Sequence, residues 1–402
     1  MSYIENLLQG AEIEWKPLGD VAELKRGTSI TKKTSTEGKY PVISGGQQPA
    51  YYIDTFNRDG ETITVAGSGA YAGFVMFWNE PIFVSDAFSI KADEKQILSR
   101  YIYHFLLNIQ EKIHDLKAGG GVPHVYAKDV ARFLVPIPCP DNPTKSLEIQ
   151  HKIVEILDKF TTLEAELEAE LDCRKRQYEY YRNQLLSFDM LNRGGGQKLN
   201  DVKIMTLGEI GTFTRGSGLQ KKDLTTQGIP AIHYGQIYTY YGTYAKKTKS
   251  FVTKEFALKA RKAKHGDLII ATTSENDEDV CKAVAWLGDE NIAISSDACF
   301  YAHTMNPKYV AYYFQTELFQ SQKRKFITGT KVRRVNANDL AKIKIPLPPL
   351  SVQREIVEIL DKFDTLTNSI SEGLPKEIEL RRKQYEYYRN QLLSFPEHKA
   401  TA

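Results

Sequence analysis

The side chains best suited to binding chemistry in this chain sit in polar segments that occur twice. Thr328–Asn336 (TGTKVRRVN) carries Lys331, Arg333, Arg334 and Asn336. Guanidinium groups beside a carboxamide suit phosphate oxygens and the edges of guanine or adenine. Its counterpart, Ala118–Tyr126 (AGGGVPHVY), keeps the same frame but is nearly uncharged, with Pro123, His124 and Tyr126 at the tip. A second pair is Ile43–Tyr52 (ISGGQQPAYY), with Gln47, Gln48 and Tyr51, and Ile232–Gly242 (IHYGQIYTYYG), with Tyr234 and Gln236. Glutamine and aromatic rings on a Gly-bearing loop suit base-edge hydrogen bonds and stacking; an exposed hairpin with structural tyrosines is the plainer reading. A third pair follows the opening strand of each copy: Arg26, Lys32 and Lys33 against Arg215, Lys221 and Lys222. Equivalent loops with one frame and different tips are what two readers of different sequences need.

Catalytic patterns are not found. There is no GxxxxGK phosphate loop, and the Gly-rich Gly67–Gly73 (GSGAYAG) has the wrong spacing for a dinucleotide fingerprint and reads as a tight hairpin. No Asn- or Asp-Pro-Pro-aromatic tetrapeptide occurs; the one Pro-Pro, in Leu347–Leu350 (LPPL), reads as a strand-to-helix joint. The eight histidines show neither HxxxH nor HExxH spacing, so no metal site is expected. Glu37 and Lys39 form an E-x-K of the kind that arises by chance. Cys139, Cys173, Cys281 and Cys299 make no CxxC pair, which fits free thiols in a reducing cytoplasm.

The 402 residues have 42% hydrophobic content, and no apolar run is long enough to span a membrane. The opening MSYIENLLQGAEIEW lacks the basic-then-apolar pattern of a signal peptide. Net charge is +3, unevenly spread: residues 201–349 hold 22 Lys/Arg against 14 Asp/Glu, residues 1–146 hold 15 against 17, and residues 147–188 hold 6 against 9. A basic surplus confined to one module hints at an anionic partner, although a well-solvated surface would look the same.

The elements that must position these loops are set by a tandem duplication. Arg174–Phe188 returns as Arg381–Phe395 with thirteen of fifteen positions identical, and IVEILDKF occurs at Ile153–Phe160 and at Ile356–Phe363. Pro17–Lys33 parallels Thr206–Lys222, and Ala118–Pro138 parallels Thr328–Pro348. Each half is a module of roughly 145 residues followed by a helix of about 40. The modules read as mixed α and β, with strands such as Thr62–Gly67, Phe74–Trp78 and Asp267–Thr272 and one helical stretch near Tyr101–Leu116, paired with Tyr309–Phe326. The first long helix shows a seam from Ile149 to Phe188 in steps of three and four, with a stutter at LEAELEAEL; the second runs from Val352 through Ile370 and Leu374 to Phe395. Gly373 and Pro375 should kink or break the second helix, and Ser351 should cap it. The fold expected is α+β: two mixed modules separated by two long helices in an antiparallel coiled coil, with an approximate twofold (circular) arrangement and a flexible joint at Arg193–Lys198. Tyr178, Tyr180, Tyr181 and Phe188, with Tyr385, Tyr387, Tyr388 and Phe395, put aromatics on several helix faces, more than one seam needs, and so suit a protein interface.

This combination resembles the specificity subunits of type I restriction–modification systems. The resemblance rests on the order module–helix–module–helix, the paired LDKF and QYEYYRNQLLSF blocks, the ISGGQQPA loop and the LEAE tetrapeptide repeat. It implies target-recognition domains at 1–146 and 201–349, helical regions at 147–188 and 350–395, a Gly-rich linker at 189–200 and a tail at 396–402. It also implies a non-catalytic, cytoplasmic, double-stranded-DNA-binding chain. Two methyltransferase subunits would bring S-adenosylmethionine, and restriction subunits would bring ATP and Mg. The alternatives are a self-contained modification enzyme, for which the motifs are missing, and a scaffold with two duplicated modules that does not bind DNA.

Overall fold

The computed structural model describes residues 12–193 and 202–395. The expected joint therefore lies outside the described residues except for Arg193, which ends a short helix, Phe188–Arg193. The tail at 396–402 also lies outside them. The chain forms two compact units, one made of Met1–Glu168 with Glu377–Ala402, the other of Ala169–Lys376. Each unit thus joins one module to helical segments from both copies of the repeat.

In the first unit a four-stranded antiparallel sheet runs in the order Ala22–Arg26, Ala87–Ala92, Glu61–Ala66, Val75–Asn79. Ile63, Thr64 and Val65 are all buried, so this strand is covered on both faces and reads as a continuous apolar run. Thr64 is tolerated there because its hydroxyl accepts from Trp78 Nε1 at 2.9 Å. Ile13–Pro17 pairs antiparallel with Leu134–Pro138 and brings the two ends of the module together. The second unit repeats the plan. A five-stranded sheet runs Gly211–Arg215, Ala298–His303, Leu268–Ala271, Ala283–Trp286, Tyr244–Ala245, and Lys203–Thr206 closes on Lys344–Leu347.

Each single helix expected near Tyr101 and Tyr309 is in fact two. In the first module Ser99–Asn108 ends at Ile109, where φ −106° and ψ 19° leave the helical region, and Gln110–Asp115 follows. In the second module Pro307–Tyr313 gives way to Glu317–Lys323 because Thr316 starts a new helix by accepting from Phe319 N.

The first long helix spans Pro143–Leu185 without interruption. The second is broken into Leu350–Asn368 and Gly373–Leu393, with Gly373 at φ +76° where a Cβ would meet Thr365 O at 2.4 Å. Two details differ from expectation. Ser351 is not the cap: the helix starts at Leu350 after Pro349, and no side chain caps it. Ile370 is not in the seam but 85% exposed, because it falls in the break. In the first unit Phe160 stacks on Tyr388 (centroids 5.2 Å apart), and Arg382 reaches both Glu164 and Glu168. Numbers rise along one helix as they fall along the other, so this pair is antiparallel. In the second unit Tyr178 and Tyr181 stack on Phe363 at 6.1 and 5.5 Å. Burial is deep at Ile149, Ile153 and Leu157 and at Ile356, Val357 and Leu360, of which Ile149, Ile153 and Ile356 belong to the expected seams. These face the module, whereas a two-stranded seam leaves Ile156, Phe160 and Leu163 half covered.

The repeated ILDKF block supplies the polar tie between helix and module. Asp158 accepts from Arg100 and from His104 Nε2, and Tyr385 Oη lies 2.8 Å from His104 Nδ1. Its equivalent Asp361 accepts from Tyr312 Oη at 2.7 Å and Lys308 Nζ at 2.6 Å. His104 is fully buried, and burial holds its pKa below the usual imidazole value against the pull of Asp158. The neutral ring donates from Nε2 and accepts at Nδ1. Burial raises the Asp158 carboxyl, but the hydrogen bonds from His104 and Arg100 outweigh it and hold the pKa below its ordinary value. Both groups bind protons more weakly folded than unfolded, so their stabilisation is present at neutral pH and declines on acidification. The decline begins below about pH 6.5 for His104 and about pH 4 for Asp158. Asp158→Asn is expected to cost about 1.5–3 kcal/mol at pH 7 and to flatten the acid limb of the urea midpoint. An unchanged midpoint would show that this tie is idle.

Candidate nucleic-acid interface

In the second module three separate segments meet at the C-terminal end of the strand Leu268–Ala271. Thr273–Ser274 pairs antiparallel with Arg333–Arg334, Val335 N donates to Thr272 O (3.1 Å), and Thr272 N donates to Asp297 O (3.0 Å). Arg215, at the end of its strand, donates from Nε to Ser296 O at 2.9 Å. Together they wall a cavity of about 270 Å³ lined by Arg215, Arg334, Thr273, Ser296 and Asn336. Among the described residues no carboxylate forms an ion pair with Arg215 or Arg334. Asp297 lines the same cavity, so two guanidinium groups and one carboxylate share it, leaving a net positive charge that suits an anion.

The first module builds the same frame from different tips. Val125 N donates to Gly67 O and Gly67 N to Asp86 O, each at 3.1 Å; Ser68 bridges to His124, and its hydroxyl donates to Asp86. His124 therefore stands where Arg334 does, and Gly67–Ser68 where Thr272–Thr273 do. Both tips open on a glycine that no L-residue can replace without strain. Gly119 has φ +115° and Gly329 φ +89°, and a Cβ at Gly329 would lie 2.1 Å from Val332 O. Gly67–Gly73 is a hairpin, as expected, but it belongs to the candidate site: Gly45 of the Gln47–Gln48 loop packs on Ser68 O. His124 and Tyr126 stack at 6.1 Å, and Arg26, Lys32, Lys33, Gln47 and Gln48 are exposed.

Several residues expected to read bases are committed inside the chain. Gln236 does not lie on a loop. It sits in the helix Tyr234–Thr239, where Oε1 accepts from His233 N and Nε2 donates to Ser250 Oγ at 2.6 Å. Asn336 caps the helix Ala337–Leu340 by accepting from Asp339 N, and its Nδ2 donates to Asp339. Tyr51 donates its hydroxyl to Ile30 O. Arg333 forms an ion pair with Asp277 at 2.8 Å and donates to Gly329 O. Arg334, Lys331, Lys221 and Lys222 remain exposed, and Tyr234 is half-buried.

A further segment, Ser274–Asp279 (SENDED), went unnoticed in the sequence because a charge run reads as solvated surface. Its fold is fixed from within. Asn276 Oδ1 accepts from Asp279 N, and Asn276 Nδ2 donates to Asp279 at 2.8 Å. From beneath, fully buried Lys323 donates to the carbonyls of Glu278 (3.0 Å) and Val280 (2.9 Å). Burial pulls the Lys323 pKa down, but two carbonyl acceptors still require its protons. The segment flanks a second cavity of about 770 Å³, walled by Lys221, His233, Tyr234, Tyr238, Glu275 and Val332. Thr273 lines both cavities, so they adjoin.

The aromatics on the long helices fall into two sets. Tyr178, Tyr385 and Phe395 are buried and Phe188 is half-buried, so these four are not free anchors; Tyr385 is consumed by His104 and Tyr178 by Phe363. Tyr180 with Tyr181 and Tyr387 with Tyr388 form matching edge-to-face pairs, each with centroids 5.4 Å apart. The outer rings, Tyr180 and Tyr387, are 60% and 59% exposed.

No helix among the described residues is long and apolar enough to cross a membrane. The family model for the type I restriction modification DNA specificity domain matches residues 11–172 and 200–380. The specificity subunit of the Escherichia coli type I restriction enzyme EcoR124I/EcoR124II is 34% identical, with 98% of each chain covered. A putative type I specificity subunit of Haemophilus influenzae is 30% identical over the same share. A crystal structure of the type I S subunit from M. genitalium superposes with a TM-score of 0.57 at 18% identity, covering 96% of this chain and 98% of that one. A chain from a structure of type I complex assembly gives 0.61 at 14%, covering 95% and 97%. Duplicated modules that share one loop frame and differ at the tips, repeated helical blocks and a match along nearly the whole chain lead to one conclusion: the chain belongs to the family of type I restriction–modification DNA specificity subunits.

Proposed function

We propose that each module reads one half of an asymmetric, bipartite double-stranded DNA target, and that the long helices set the spacer and dock two methyltransferase subunits. The working division is recognition by 1–146 and 201–349, spacing by 147–188 and 350–395, and connection by 189–200, with 396–402 as a tail. S-adenosylmethionine would enter with the methyltransferase subunits, ATP and Mg with the restriction subunits, and the complex would work in the cytoplasm. This chain contributes recognition and no catalytic group. The observation that carries the reading is the shared frame with unlike tips, His124 and Tyr126 in one module against Arg334 and Asn336 in the other. One frame accounts for a common mode of binding, and unlike tips account for unlike half-sites. Titration of random-sequence duplex at several salt concentrations tests DNA binding itself. A steep fall in affinity with salt is expected; flat, weak binding would favour a protein scaffold.

For partner docking, the exposed Tyr180 and Tyr387 are the residues to replace. Aromatic side chains at such positions dominate interface energies. The double variant Tyr180→Ala, Tyr387→Ala is expected to lose about 2 kcal/mol or more per site, enough to prevent co-purification of the methyltransferase subunits. Intact co-purification would move the docking surface elsewhere.

A further inference from the structure

Within the second module, the larger cavity differs from its surroundings in holding a donor and an acceptor that the rest of the fold leaves unused. His233 is only 7% exposed, yet it lines this cavity. Its Nδ1 accepts from Gly235 N at 3.3 Å, and its Nε2 makes no hydrogen bond among the described residues. A neutral ring that accepts at Nδ1 carries its proton on Nε2. Burial, helped by the charge of Lys221, lowers its pKa and keeps it neutral. Glu275 lines the same cavity. Of the other acids in this segment, Asp277 is tied to Arg333 and Asp279 to Asn276, and Glu278 does not line this cavity. Glu275 itself has no ion pair or hydrogen bond among the described residues. Tyr238 helps to fix the cavity wall by donating its hydroxyl to Thr273 O at 2.7 Å. An N–H donor and a carboxylate acceptor lining one cavity, next to the cavity of Arg215 and Arg334, suit a ligand that offers the complementary pair.

Resting on the reading of this module as a DNA half-site reader, we propose that His233 and Glu275 select an adenine through its major-groove edge, His233 Nε2–H donating to N7 and Glu275 accepting from the N6 amino group. Of the four bases only adenine presents an acceptor and a donor side by side in that groove. Guanine presents two acceptors, which a carboxylate repels; cytosine offers the amino donor without N7; thymine offers O4 and a methyl group. The adjoining Arg215–Arg334 cavity, sharing Thr273, then takes a backbone phosphate near the same step. The first module has no such pair. With the repeat's own offset Ser44 stands at the position of His233, and Gly69–Ala70 occupy the shorter turn where Glu275 would be. Adenine selection here is thus peculiar to one half of the target.

The test is atom-level substitution in the DNA. Duplexes carrying the methylation target would be bound by the full chain with its methyltransferase subunits, replacing each adenine of the second half-site in turn by 7-deazaadenine, which lacks the N7 acceptor, or by purine, which lacks the amino group. At one adenine both replacements are expected to weaken binding by about 5- to 150-fold. His233→Asn keeps a helix-capping acceptor and should erase the 7-deazaadenine penalty alone; Glu275→Ala should erase the purine penalty alone. If wild-type complex prefers the target duplex over random DNA but no second-half adenine responds to both analogues, or if either variant leaves its penalty intact, the assignment is overturned while the half-site reading stands. If wild-type complex shows no preference for the target, the half-site reading itself fails.

Discussion

With a third LEAE unit after Glu170 of this chain, the full complex is expected to methylate a target whose two half-sequences are unchanged and whose unread spacer is one base pair longer. The unit lies inside the uninterrupted helix Pro143–Leu185, at Leu163–Glu170. Four residues add about 6 Å of helix and turn its far end by about 40°, since a turn takes ~3.6 residues. DNA rises ~3.4 Å per base pair on each strand, so the bare length allows one or two. The partner helix cannot lengthen, so the Arg382 contacts with Glu164 and Glu168 and the Phe363 contacts with Tyr178 and Tyr181 cannot all keep their register; that strain favours one. A spacer of unchanged length would show that LEAE is only strong helix-forming filler. Altered half-sites would show that the helix does more than measure.

The second large effect is expected at the Arg333–Arg334 ladder. Arg334→Ala should weaken the target by about 1–3 kcal/mol. If Arg334 and Arg215 hold a phosphate, the loss should be equal on all sequences, and the log–log salt slope should fall by about 1. Arg333→Ala should act differently, because Arg333 is paired with Asp277. It releases Asp277 rather than removing a DNA contact, so discrimination between sequences should suffer more than non-specific affinity. Unchanged target affinity in the Arg333→Ala, Arg334→Ala double variant would remove this loop from the interface.

What the sequence made legible was what repeats or recurs at short range. The duplicated blocks declared the two-module plan, helical periodicity marked the long helices, and Gly373 with Pro375 marked the break between Asn368 and Gly373. The equivalence of the loops was legible too, and the frame at Gly67 and Thr272 is common to both. Contacts were not. Gln236 reads in sequence as a base reader because an amide on a Gly-bearing segment suits bases. The competing signal was a polar residue three positions before it, His233, which is the spacing of a reciprocal helix cap. Tyr178 and Tyr385 were grouped with their exposed neighbours because one sequence block carries both kinds, and only packing separates them. Asp158 and Asp361 stood in plain sight as acids within apolar octamers. Their partners, His104 and Tyr312, lie about 50 residues away in the chain, beyond the reach of any periodicity. Glu275 was hidden for a physical reason: four acids within five residues look like solvated surface until folding pairs Asp277 and Asp279 and brings Glu275, but not Glu278, to the cavity wall.

The most direct test of the central claim, that the two modules read separate halves, is to replace residues 202–349 with a second copy of residues 12–146 and sequence the methylated adenines in cells carrying the full system. Both modules close on themselves through equivalent strand pairs, Ile13–Pro17 with Leu134–Pro138 and Lys203–Thr206 with Lys344–Leu347, so the exchange keeps the joints to the helices. The expected target carries the first module's bases in both halves and no trace of the second module's. Retention of the original asymmetric target would contradict the account.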